Sequence, residues 1–254
     1  MNRKIIYPYH MGSRSSKDLS ASIGGLRVHP NRKYKPRQSD LIVNWGNSQL
    51  PSWFPSVVEV GANILNQPLN IRVATNKLTT FRQLELAGIP IPKYTTDRIT
   101  ANDYSKVFVR HKLSSHSGDG IEIFNEGGEL PLAPLYTEYI KQRAEYRVHV
   151  FNGEIISYSK KMRRRNFLDY PTEEQKMIRS YKNGWVFCRN GLKRLVRVEK
   201  IAKDAVSALG LDFGGVDIIR DRNGNVFVLE INTACGLQGR TLEDYKNAIL
   251  NYAN

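Results

Sequence analysis

The chain has 254 residues, 41% of them hydrophobic, and a formal net charge of +14. This is an ordinary composition for a globular protein, and no run approaches the roughly 20 apolar residues of a membrane-spanning helix. The excess of cations favours an anionic partner, whether nucleotide, nucleic acid, or an acidic peptide or metabolite, without choosing among them.

The opening "MNRKIIYPYH" lacks the apolar core of a secretion signal, and Cys188 and Cys235 have no metal-type spacing. The expected compartment is therefore the cytoplasm, with no disulfide or zinc site. Residues 1–72 alternate strand-like runs, "KIIYPY" and "DLIVNWG", with Gly- and Ser-rich connections, which predicts a small α/β lobe. In "NKLTTFRQLELAGIPIPKYTT", Leu78, Phe81, Leu84 and Leu86 form a helical stripe; Gly88 is placed to end it and Pro90 and Pro92 prevent its continuation. "KVFVR" reads as a strand leading into the loop "HKLSSHSGDG", and "IEIF" and "PLYTEYI" as further strands. "EYRVHVFNGEIISYSKK" reads as a hairpin, "VRVEKIAKDAVSALG" as an amphipathic helix, "GGVDIIRDRNGNVFVLEIN" as a second hairpin, and "TLEDYKNAILNYA" as a closing helix. This order predicts an α+β chain built on antiparallel hairpins rather than a doubly wound βαβ fold.

The second hairpin carries the clearest chemistry. Asn223-Gly224 is a strong signal for a two-residue turn. Such a turn pairs Arg222 with Asn225, sets Asp217 opposite Glu230, and leaves Asn232 on the same face. Opposed carboxylates repel, and a bound cation relieves the repulsion. Two carboxylates and an amide oxygen suit Mg²⁺. Exposure of both acids at a sheet edge is the weaker alternative, because Ile218, Ile219, Val228, Leu229 and Ile231 form a core-type set. The same counting around Asn152-Gly153 sets Glu145 opposite Lys160, with Arg147 and His149 sharing its face. Alone that is more often a surface salt bridge than a site. The glycines flanking Asp119 in "SSHSGDGIEI" can cradle phosphate oxygens, although as an isolated feature a plain turn is commoner. His111 and His116 lack ligand spacing, which favours a loop role. "KKMRRRNF" is either a solvated loop or a clamp for an anionic substrate.

Taken in order from about residue 73 to 250, these segments resemble the ATP-grasp superfamily, nearest to the ribosomal-protein-glutamylating (RimK-like) and D-alanine–D-alanine-type ligases in a compact form of the kind seen in phage genomes. "NKLTTFRQLELAGIPIPKY" looks like the family's first helix, "VFVR" its phosphate-binding strand and "SHSGDGI" its glycine loop. "LYTEYI" looks like the adenine hinge, and "VDII" with "LEIN" the magnesium pair.

The resemblance implies an ATP-grasp fold: a small lobe over 1–72, then a domain over 73–254 whose two lobes, 73–140 and 141–254, clamp ATP. It implies that Lys77 and Arg110 hold phosphates and that Ser115, Gly118 and Gly120 form a lid. Glu138, Tyr139 and Ile140 would line the adenine, Glu145 would read the ribose, and Lys160 would reach the γ-phosphate. Asp217, Glu230 and Asn232 would hold one or two Mg²⁺, with Mn²⁺ as a substitute. Gly215 stands where D-alanine ligases carry an arginine, so that burden passes to Arg147, Arg163, Arg164 or Arg240. The implied activity joins a carboxylate to an amine through an acyl phosphate, on an amino acid, peptide or protein, with the 160–170 loop facing an acidic substrate. A small-molecule kinase and a non-catalytic nucleic-acid-binding module are the alternatives.

Overall fold

The computed structural model describes residues 2–114, 120–165 and 172–253. The first unit contains β1 (Lys4–Pro8), α1 (Arg14–Ser22), β2 (Leu26–Arg27), β3 (Leu41–Trp45), α2 (Phe54–Val60) and β4 (Asn63–Leu65). Its strands form a parallel sheet in the order β2-β1-β3-β4. "IIYP" and "LIVNW" are buried without alternation, as expected of parallel strands covered on both faces.

Next come α3 (Pro68–Thr75) and α4 (Lys77–Leu86). Pro68 sits in the first turn of α3, and Asn76 caps α4 by accepting from the Leu78 and Thr79 amides. Gly88 follows with φ +69°, a left-handed conformation that costs glycine little.

A second, antiparallel sheet, ordered β5-β8-β6-β7, contains β5 (Tyr94–Thr95), β6 (Lys106–Arg110), β7 (Ile121–Asn125) and β8 (Leu135–Glu138), with α5 (Arg98–Ala101) between β5 and β6. The third sheet, ordered β11-β10-β9-β12-β13 and also antiparallel, is formed by β9 (Gln142–Phe151), β10 (Glu154–Arg163), β11 (Trp185–Cys188), β12 (Phe213–Asp221) and β13 (Val226–Asn232). Helix α6 (Glu173–Met177) precedes β11, α7 (Val196–Ala208) lies between β11 and β12, and α8 (Arg240–Ala253) closes the chain.

The main core lies between α7 and the third sheet, where Val198, Ala202 and Ala205 meet Tyr146, Val148, Val216, Ile218 and Val228. Ile71 of α3 and Leu84 of α4 join this core. The helix that the sequence groups with the second sheet therefore packs on the third. Tyr245 and Ile249 of α8 pack with Ile6, Val43 and Trp45 of the first sheet and with Phe151 and Phe213 of the third. The first sheet and the site-bearing sheet thus share one aromatic core.

Buried Asn66 secures the same junction. Its side-chain oxygen accepts from the Asp212 amide at 2.8 Å and the Phe213 amide at 3.1 Å, and its nitrogen donates to the Phe213 carbonyl at 2.9 Å. These bonds fix the start of β12, four residues before Asp217. Asn66→Ala should destabilise the protein by roughly 3 kcal/mol, about 1 kcal/mol for each bond lost. Asn70→Ala, which loses one exposed bond to the Gly210 carbonyl, should stay within about 0.5 kcal/mol. Urea denaturation of the two variants checks this contrast.

Candidate active site

The third sheet has one apolar face, covered by α7, and one polar face. Cross-strand register arranges the polar face in rows. One row is Ser157, His149, Gly215 and Asn232; the next is Ser159, Arg147, Asp217 and Glu230. In the third row Glu145 pairs with Ile219 and Ile219 with Phe227, while Lys161 pairs with Phe187 on the other side. Glu145, His149, Ser157, Ser159 and Asp217 are all buried.

The Asp217–Glu230 pairing is present, but the expected turn does not produce it. Arg220 pairs with Val226, and the Asp221 amide donates to the Asn225 carbonyl. The loop is therefore three residues, Arg222-Asn223-Gly224, with Gly224 at φ +88°. That odd shift alone would have put Asp217 and Glu230 out of step. A β-bulge at Leu229 inserts one unpaired residue and restores the pair.

At the other hairpin the turn is as expected, with Phe151 paired to Glu154 and positive φ at Asn152 and Gly153. Here a bulge between Ile155 and Ser157 moves the register by one residue, so Lys160 pairs with Tyr146 and its side chain belongs to the opposite face. Lys161, not Lys160, bonds the Glu145 carboxylate.

Four charged groups meet at the carboxylate pair. Arg147 binds Asp217 in a two-pronged bond, Nε to Oδ1 and Nη2 to Oδ2, both 2.6 Å. Its guanidinium lies 4.4 Å from the Phe187 ring centroid, and Lys161 shares that ring at 4.8 Å. Lys77, at the first position of α4, donates to Glu230 Oε2 at 3.2 Å and to the Leu229 carbonyl at 2.9 Å. Asn232 Nδ2 donates to Glu230 Oε1 at 2.9 Å.

Burial penalises the Glu230 charge, but Lys77 and Arg147 outweigh it and hold the carboxyl well below the usual range. Burial pushes Asp217 up against the pull of Arg147. It also pushes Lys77 down, with Arg110 adding to the effect and Glu230 opposing it. Arg147 is held more firmly charged than in water: its burial penalty is overcome by Asp217. Burial lowers Arg110, at the end of β6, to about 10 against the opposing pull of Glu230; its Nε donates to Thr137 Oγ1 at 3.3 Å.

Other expected positions differ in what they contribute. Gly120 adopts φ +72° and its carbonyl accepts from the His111 amide. Ser115 and Gly118 lie outside the described residues. The amides of Glu138 and Tyr139 are donated to the Lys93 and Lys106 carbonyls, both at 2.9 Å. Ile140 follows them between β8 and β9. Glu145 is buried against Lys161, and burial raises its pKa while Lys161 opposes the shift. Arg240 starts α8 and is exposed.

No side chain fits at Gly215. An added Cβ would lie 2.5 Å from Cys235 Sγ and 3.1 Å from the His149 ring. Arg147, one strand over, presents the guanidinium beside Asp217 instead.

The sequence reading missed Lys161, the Leu229 bulge and Phe187. "WVFC" is a short apolar run that would have signalled a strand; the bulges have no local signal. Behind Gly215 the His149 Nδ1 and Tyr245 hydroxyl are 3.1 Å apart, and Cys235 Sγ donates to the Asn232 carbonyl at 3.2 Å. Burial raises the Cys235 thiol to about 11, which suits packing rather than nucleophilic attack.

Two antiparallel sheets, one bearing paired carboxylates with cations beside them and the other contributing Arg110, make up this α+β fold. A family model described as "ATP-grasp domain" matches residues 74–235, and the chain belongs to the ATP-grasp family. It is 25% identical over 219 residues to a probable alpha-L-glutamate ligase of Hahella chejuensis, covering 76% of this chain and 66% of that protein. It is 33% identical over 110 residues to a D-alanine–D-alanine ligase of Pseudoalteromonas atlantica, covering 41% of this chain and 32% of the relative. The chain thus spans about one third to two thirds of the length of these curated relatives. The fold matches the ATP-grasp ligase PsnB complexed with a phosphomimetic variant of its minimal precursor, Mg and ADP, at TM-score 0.69 and 11% identity over 100% of both chains. It also matches the D-alanine–D-alanine ligase of Bacillus anthracis at TM-score 0.68 and 15% identity, over 100% of this chain and 99% of that one.

Burial pushes His149 down to about 3, with Arg147 and Arg189 adding to the effect. Because the folded pKa lies below the unfolded value of about 6.5, neutral His149 contributes stability that is complete above that pH and lost as pH falls from it toward 3. His149→Asn should therefore flatten the acid limb of a stability–pH profile by up to about 1.4 kcal/mol per pH unit over this window. Denaturant midpoints between pH 7 and 4 check it.

Proposed function

We propose that this chain is an ATP- and Mg²⁺-dependent carboxylate–amine ligase, acting on an amino acid, peptide or protein. The carrying observation is the Asp217–Glu230 pair, with Asp217 buried and Glu230 half-buried, flanked by Lys77, Arg147 and Arg110. Residues 73–140 and 141–254 would form the two lobes of the ligase, with 1–72 as a smaller accessory lobe.

The donors suit the metal. Asp217, Glu230 and the Asn232 amide offer hard oxygens. Among the described residues no three His, Cys, Asp or Glu side chains group to hold a metal ion, so a hard cation here would take its remaining ligands from water and nucleotide phosphates. Bound there, one or two Mg²⁺ would neutralise charge on the phosphoryl oxygens as it develops. Mn²⁺ has the same ligand preference.

The protein's own residues would position and neutralise. Lys77 and Arg110 face the triphosphate from two sides, with Gly120 at the end of the glycine loop beside it. Main-chain carbonyls of Glu138 and Tyr139, with Ile140, border the adenine. Glu145, held by Lys161, faces the ribose, and Lys161 takes the γ-phosphate role read from the sequence for Lys160. A substrate carboxylate oxygen attacks the γ-phosphorus and ADP leaves. The amine nitrogen then attacks the acyl carbon, phosphate departs and the nitrogen loses a proton. Arg147 is placed to hold the acyl phosphate; Arg240, exposed at the rim, contacts only the incoming substrate. Positioning and charge neutralisation supply the rate, and no covalent nucleophile is required.

The net charge of +14 and the arginines at 163–165 fit an acidic peptide or protein substrate. The PsnB structure with its precursor variant and the glutamate-ligase relative support an amino-acid or precursor-chain substrate more broadly. Among the described residues, no helix is long and apolar enough to cross a membrane.

ADP release should appear only when a carboxylate and an amine are both supplied from a panel of amino acids and acidic peptides. Asp217→Asn or Glu230→Gln should lower that turnover by about 10²-fold or more with the fold retained. A stable phosphorylated product formed without any amine would replace the ligase with a kinase. Salt-sensitive binding to DNA or RNA without nucleotide binding would replace it with a nucleic-acid-binding module.

A further inference from the structure

All four oxygens of the carboxylate pair are engaged by the protein's own side chains. Arg147 takes both oxygens of Asp217. Asn232 takes Oε1 of Glu230 and Lys77 takes Oε2, with Arg147 Nη2 a further 3.9 Å from Oε1. Among these bonded groups two negative charges meet two positive ones, and Arg110 adds a further positive field at Glu230. Asp217 is the more enclosed acid, its side chain 6% exposed against 35% for Glu230.

A divalent cation entering alone would meet a cluster with no net negative charge, whose best oxygens are already bonded. To reach Asp217 it must displace Arg147, which is wedged against Phe187. A buried guanidinium without a counter-ion is strongly disfavoured. A nucleotide triphosphate changes this balance. Its oxygens offer Arg147 and Lys77 replacement partners, and guanidinium binds phosphate through two parallel bonds as it binds carboxylate.

We propose that Lys77 and Arg147 are internal counter-ions that block free divalent metal from the Asp217–Glu230 pair and release it only when nucleotide phosphates take them over. The inference rests on the nucleotide-and-metal reading above, and it makes metal and nucleotide binding strongly coupled. Each must then raise the other's affinity by the same factor. Lys77 is the more easily moved of the two, because its single-point bond at 3.2 Å and the Leu229 carbonyl hold it less firmly than Arg147 is held.

The test is Mn²⁺ binding to the full chain, followed by electron paramagnetic resonance without nucleotide, and binding of a non-hydrolysable ATP analogue with and without Mn²⁺. Wild type should bind Mn²⁺ alone at least about tenfold more weakly than Arg147→Met or Lys77→Met. Its affinity for the analogue should rise at least about tenfold with Mn²⁺, a coupling that shrinks in either variant. Tight, saturable Mn²⁺ binding by wild type, unchanged by the analogue, overturns the inference without recourse to a variant and leaves the ligase reading intact. Absence of analogue binding even with Mn²⁺ overturns both.

Discussion

The Asp217 and Glu230 carboxylates face each other across two bonded strands, an arrangement that is repulsive unless positive charge lies beside it. The rest of the molecule supplies that charge from two separate elements. Arg147 comes from the neighbouring strand β9, and Lys77 from the first position of α4, more than 150 residues earlier in the chain. For Lys77 to arrive there, α4 must dock beside α7, which Ile71, Leu84 and Ile89 accomplish by joining the α7 core. Apolar packing on one side of the third sheet thus sets the electrostatics on the other.

Two bulges decide which side chains reach the polar face. Side chains alternate with period two, so one extra residue exchanges the faces of everything beyond it. At Leu229 the extra residue compensates for a three-residue turn and keeps Asp217 opposite Glu230; it also frees the carbonyl that Lys77 grips. Near Ile156 nothing compensates, and Lys161 replaces Lys160 beside Glu145. Neither device is visible in composition or periodicity.

The first sheet supports the site from behind. Trp45 stacks on Phe213 with ring centroids 5.4 Å apart and meets Tyr245 edge-on at 5.2 Å. Tyr245 in turn faces His149, whose ring leaves room at Gly215 for no side chain. Packing therefore explains the missing arginine. The space is filled by Cys235 and His149, and the guanidinium reaches Asp217 from β9.

The resemblance to ATP-grasp ligases joined Lys77, Arg110, Arg147 and Glu145 to the metal set. The sequence by itself determined the order of helices and hairpins, a small α/β unit at the start, and the placing of Asp217, Glu230 and Asn232 on one strand face. These depend on local periodicity, turn residues and the cost of leaving charge in a buried strand unpaired, all of which are legible in short windows. Only the tertiary structure decided that α4 belongs to the third sheet's core and that Lys161 rather than Lys160 meets Glu145. Each of those is set by register or by contact between segments distant in sequence. Neither leaves a local mark, because a bulge changes no residue type and a packing partner is chosen by shape at the moment the core closes.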